Sequence, residues 1–150
     1  MILWYKDEDL KIEFDKVPDV TMTYPAPYYS EDENRLIDDK PFLNKEDLKV
    51  EIGDCINNAV YNFTVPKGYT WDGATIPRFF WRLIGSNTSP EFLIPSMIHD
   101  VLCENHHYIN NDRYLSTLIL ERLLYCSGVS SFKRWLMKHS VDNFQKFCHW

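Results

Sequence analysis

The feature that most limits what this chain can fold into is a change in the spacing of its apolar residues between Pro66 and Pro77. Before that point, Lys11-Ile12-Glu13-Phe14-Asp15, Leu48-Lys49-Val50-Glu51-Ile52 and Tyr61-Asn62-Phe63-Thr64-Val65 alternate apolar and polar, the period of strands with one buried face. After it, the signals are helical. Residues 76–84 start at a proline and stop at Gly85, and Pro95 opens a helix running through Cys103. A third helix covers about residues 111–126, stopped by Gly128, and a fourth covers about residues 130–147. Strands first and helices after is the order of an α+β fold. The expectation is a small antiparallel sheet from residues 1–70 packed against three or four helices from residue 76 onward, in a single domain of 150 residues. Residues 24–47 interrupt the strands with Pro25, Pro27 and the run Glu31-Asp32-Glu33, and read as an irregular excursion suited to a cationic partner surface.

Charge narrows the partners. The chain carries 16 Lys and Arg against 22 Asp and Glu, a net charge of −6, which disfavours coating duplex nucleic acid. No apolar stretch is long enough for a membrane span, and the start MILWYKDEDLK lacks the basic and apolar regions of a secretory signal. A soluble, intracellular protein is the expectation.

Three polar points lie in apolar surroundings. Gly73 gives Asp72, in Trp71-Asp72-Gly73-Ala74, the freedom to turn a carboxylate toward a shared site, or Asp72 simply stabilises the turn. His99-Asp100 sits mid-helix beside Ile94, Ile98, Val101 and Leu102, with Cys103 one turn on; a histidine there is either a hydrogen-bonded core residue or a functional one. Asp112 shares a helical stripe with Leu115, Ile119 and Leu123, opposite Arg113, Thr117 and Glu121 on the expected solvent side. It is therefore expected to point inward, where it would orient His99 for general-base work, or to serve the helix start.

These residues carry a resemblance. The stretch Val65-Pro66-Lys67-Gly68-Tyr69-Thr70-Trp71-Asp72-Gly73-Ala74-Thr75-Ile76-Pro77 resembles the hallmark of a phage and prophage family, domain of unknown function 1353. Ile98-His99-Asp100-Val101-Leu102-Cys103 resembles its second motif, with Cys103 in place of a tyrosine, and Asp112-Arg113-Tyr114-Leu115 its third. The resemblance covers about residues 60–130 and implies phage origin. A second similarity, to secreted calcium-dependent phospholipases, implies a chemistry. His99 would activate water, Asp72 and Asp100 would hold calcium or magnesium, and Asp112 would orient His99. The disulfides of those enzymes have no counterpart here.

Other patterns were weighed against these. His99, Cys103, His106 and His107 have some spacing for zinc. Lys133, Arg134 and Lys138, interleaved with Phe132 and Trp135, make a basic aromatic helix for a membrane, a nucleotide or ordinary packing. Two functions follow. One is an accessory protein that binds a host protein or a small nucleotide-like ligand, or sits in the virion, through a pocket of Trp71, Asp72, Gly73, His99, Asp100 and Cys103. The other is a metal-assisted hydrolase of an ester or phosphodiester. The four cysteines, Cys55, Cys103, Cys126 and Cys148, have no paired spacing and are expected to be free thiols. All four should then be alkylated after denaturation without reductant, and two blocked thiols would place a disulfide in the chain.

Overall fold

The computed structural model describes residues 1–22, 28–32, 34–37, 42–71 and 90–147, with backbone alone at 22, 28–30, 35–37 and 143–147. It contains strands β1 (Ile2–Lys6), β2 (Leu10–Phe14), β3 (Val20–Met22), β4 (Tyr28–Ser30), β5 (Arg35–Ile37), β6 (Phe42–Asn44), β7 (Leu48–Asp54), β8 (Ala59–Val65) and β9 (Thr70–Trp71). Three helices follow among the described residues: α1 (Leu93–Glu104), α2 (Arg113–Cys126) and α3 (Ser131–Phe147). The fold is α+β, with antiparallel sheets in the first half and helices in the second. The helix expected at residues 76–84 lies outside the described residues.

The main sheet has the order β1-β2-β7-β8. Its register sets Ile12 opposite Ile52 and Phe14 opposite Val50, which in turn faces Phe63. Alternation then places Leu10, Ile12, Phe14, Leu48, Val50, Ile52, Phe63 and Val65 on one buried face. Met97, Ile98, Val101 and Leu102 of α1 and Leu115, Leu118, Ile119 and Leu123 of α2 cover that face. A smaller cluster of Leu120, Leu124, Val129, Met137 and Val141 joins α2 to α3. The buried Asp54 ends β7 in a turn, where it accepts the N–H groups of Ile56 and Asn57 at 3.1 and 3.2 Å.

The segment expected to be irregular between residues 24 and 47 contains paired strands. β3 and β6 form a second sheet with β9, and β4 pairs with β5. Each of the four is three residues long, too short to leave a two-residue period in the sequence. Residues 23–27, 33 and 38–41 of that segment lie outside the described residues. β1 was also unforeseen, because Ile2-Leu3-Trp4-Tyr5 is apolar without alternation.

Asp112 stands at the N-cap of α2, where its Oδ1 accepts the Leu115 N–H at 3.0 Å. This corrects the inward orientation expected from its stripe: the side chain is part-exposed and turned onto its own helix end. Thr117, expected on the solvent side, is 2% exposed. The reason is that α3 packs on that side of α2, tied by ion pairs Arg113–Asp142 and Arg134–Glu121. Gly128, at φ 83°, stops α2, and the Val129 N–H returns to the Leu124 carbonyl at 3.1 Å.

One polar network fastens β1 to the helices. Asp7 accepts from the Tyr5 hydroxyl at 2.5 Å, from the N–H groups of Asp9 and Leu10 at 2.7 and 2.8 Å, and from Arg122 Nε at 2.8 Å. Burial opposes ionisation of Asp7, but these hydrogen bonds outweigh it and hold its carboxyl at about 2. Burial and the bond to Asp7 push Tyr5 up to about 12.

Two outcomes are expected. Asp112→Ala should cost about 1 kcal/mol in denaturant unfolding, while Asp112→Asn and Asp112→Ser retain most of the stability, since all three oxygens cap. Asp7 has a depressed folded pKa, so its contribution is complete above about pH 4 and is lost as pH falls through about 2. Asp7→Asn should flatten the stability curve in that window, by about 2 kcal/mol at most.

Candidate functional site

Trp71 ends β9 and fastens it to α1. Its Nε1 donates to Ser96 Oγ at 3.0 Å, and that hydroxyl donates to the Leu93 carbonyl at 3.0 Å. The indole is buried between the rings of Phe42 and Tyr69, at centroid distances of 5.8 and 6.1 Å. Trp71 is thus a core anchor that fixes where the family motif leaves the sheet. Asp72 and Gly73 lie outside the described residues.

α1 presents two polar edges next to that anchor. His99 is 6% exposed, and burial lowers its pKa to about 4, so the imidazole is neutral at ordinary pH. Cys103, one turn on and part-exposed, holds its Sγ 3.6 Å from Nδ1 and 3.7 Å from Nε2. Near-equal distances to both nitrogens place the sulfur over the ring rather than in line with one nitrogen. That is a sulfur–ring contact, not the in-line hydrogen bond of an activated thiol.

The second edge is Asp100 and Glu104, also one turn apart. Near them is Tyr69, whose hydroxyl oxygen is shut away from water and has no hydrogen bond among the described residues. Its pKa is driven far upward, first by burial and then by the negative charges of Glu104 and Asp100. Glu104 is close enough to act on the phenol and is the acceptor that raises its pKa. The structure puts His99 and Cys103 in contact, sets Asp100 on the other edge of α1, and adds Tyr69 and Glu104, which sequence reasoning did not single out. Both carried a signal: Tyr69 is inside the first motif, and Glu104 follows Asp100 at the four-residue spacing of a helix face.

Asp112 is not joined to this group. Its carboxylate caps α2 and borders a cleft of about 490 Å³ with Asn57, Ala59, Tyr61 and Asn110. Among the described residues no three His, Cys, Asp or Glu side chains are grouped to hold a metal ion, so His99, Cys103, His106 and His107 do not form a zinc site. No helix among the described residues is long and apolar enough to cross a membrane. The basic aromatic helix is a packed one: Met137 and Val141 are buried against α2, while Phe132 and Trp135 are 57% and 56% exposed.

Comparison with known proteins agrees with the motifs. A stretch of 50 residues, 33% of this chain, is 40% identical to "Uncharacterized protein y4jT" of Sinorhizobium fredii. It spans only 15% of that protein's length. No solved structure matches. Residues 48–141 match a family at both ends beyond the motif region, from the start of β7 to well into α3. The chain belongs to the family described as Protein of unknown function (DUF1353).

Proposed function

We propose that the protein is a phage-type accessory protein that binds, without covalent chemistry, a small nucleoside- or nucleotide-like ligand at the α1 edge formed by Tyr69, Asp100 and Glu104. The observation that carries this reading is the Tyr69 hydroxyl: a polar atom out of water, with no hydrogen bond, beside two carboxylates. A buried donor left unsatisfied costs about 1–3 kcal/mol, which a ligand that accepts its hydrogen bond would recover. The acids favour sugar hydroxyls and base amino groups over phosphate, so the nucleoside part is the half that fits. A host protein offering similar donors is the other partner of this class, in the host cytoplasm or the virion. Phage origin rests on the motif resemblance.

The hydrolase reading uses His99 as base, Asp112 as its orienting acid, and Asp72 with Asp100 around calcium or magnesium. Its support is a neutral imidazole and a carboxylate adjacent on α1. Burial of His99 and the engagement of Asp112 as a cap favour binding over hydrolysis.

Tyr69→Phe removes the hydroxyl and keeps the ring. It should leave the free protein as stable or raise its stability by about 1 kcal/mol, and should abolish thermal stabilisation by nucleosides. Clear destabilisation of the free protein would show that the hydroxyl is already satisfied and would sink the binding site. His99 gives a separate test. Its folded pKa lies below the unfolded one, so stability is complete above about pH 6.5 and falls as pH drops through about 4, by up to about 3 kcal/mol. His99→Leu should remove that slope; a slope that survives would exclude a buried neutral histidine as its source.

A further inference from the structure

The main sheet has two edges, and they are treated differently. On β1, the register with β2 shifts between Leu3 and Tyr5, the strand ends in Lys6, and the Trp4 carbonyl accepts from Cys126 Sγ at 3.5 Å. A bulge, a charge and a covering helix are the usual protections of an edge. Among the described residues β8 has neither bulge nor charge, and the short 3-10 helix His106–Ile109 meets its inner face, where Tyr108 stacks on Phe63 at 5.4 Å. The register of β8 with β7 is unbroken from Ala59–Asp54 to Val65–Leu48, and Ala59-Val60-Tyr61-Asn62-Phe63-Thr64-Val65 contains no charge and no proline. Apart from the Val65 carbonyl, which accepts from Asn44 at 3.2 Å, the backbone of β8 bonds to β7 alone among the described residues. The cleft lined by Asn57, Ala59, Tyr61, Asn110 and Asp112 opens beside its first half.

We propose that β8 is where two copies of this chain pair, antiparallel about a two-fold axis at Asn62, giving one continuous eight-stranded sheet. The strand is close to its own reverse. A two-fold at Asn62 sets Tyr61 against Phe63 of the partner subunit, Val60 against Thr64 of the partner subunit, and Ala59 against Val65 of the partner subunit. These are aromatic, β-branched and small–branched pairs of the kind that stabilise antiparallel strands. Each pair also shares a sheet face, since Tyr61 and Phe63 lie on the inner side while Val60, Asn62 and Thr64 point to solvent. Each copy has a net charge of −6, so an uncharged strand is where two copies can approach.

Sedimentation equilibrium and disulfide trapping test this together. The full chain should be a dimer at tens of micromolar. Asn62→Lys, which opposes two like charges, should weaken it by about fivefold or more with an unchanged melting curve for the monomer. Asn62 is exposed and its side chain makes no bond within the described residues, so the variant should fold. Opposed Cα atoms lie about 4.5–5.5 Å apart across an antiparallel pair, within disulfide reach. Oxidised Asn62→Cys should therefore give a 62–62 cross-link on peptide mapping, and Val60→Cys, which faces Thr64, should not cross-link to itself. A monomeric wild type overturns the proposal, as does a dimer in which Val60→Cys cross-links as readily as Asn62→Cys.

Discussion

Rows of apolar side chains run across the main sheet, Ile12 beside Ile52 and Phe14 beside Val50 and Phe63, and the faces of α1 and α2 close over them. Each such side chain contributes about 1.5–3 kcal/mol on burial, so this contact outweighs every polar interaction in the molecule. It also decides which polar groups are left for function. Seating Ile98, Val101 and Leu102 on the sheet rotates α1 so that His99 goes inside while Asp100 and Glu104 emerge toward Tyr69. The arrangement of the candidate site is a consequence of core packing.

The residues that alternate strictly were legible in the sequence. β2, β7 and β8 each show a two-residue period because one face is buried and the other is wet. Of the helices, α1 was legible from Pro95, in its first turn, and α2 from its apolar stripe and the stop at Gly128. What was hidden is equally physical. β1 borders the helices on one side, and three-residue strands carry too few side chains to declare a period. Thr117 was misjudged because a stripe argument for one helix takes no account of a second helix packing against its other side.

Asp112 shows a subtler limit. Its offset of three residues from Leu115 is the spacing of a core stripe, and also the spacing at which an N-cap carboxylate meets the N3 backbone N–H. Both readings use the same residues, so periodicity could not separate them; only the direction of the side chain does. For the site itself, the sequence singled out His99, Asp100 and Cys103 on one helix. It could not show that the Cys103 sulfur lies over the imidazole, which depends on side-chain torsions that no spacing encodes.

The two polar clusters of the molecule differ in a way that separates scaffold from site. Around Asp7, the Tyr5 hydroxyl, two backbone N–H groups and Arg122 meet one carboxylate, and Arg122 is shared with Glu121, which also takes Arg134. Opposite charges and donors are matched, so the cluster has no capacity for a further group and acts to hold β1, α2 and α3 together. Around Tyr69, the charges of Glu104 and Asp100 push the phenol's pKa upward, and among the described residues its hydroxyl has no hydrogen bond. Natural cores rarely leave such an atom unmatched without a reason. A cluster whose bonding is complete can only be weakened by a new partner, whereas a buried donor without a hydrogen bond can gain from one. That asymmetry leaves the Arg122 network to stability and is the ground on which the binding proposal at the α1 edge rests.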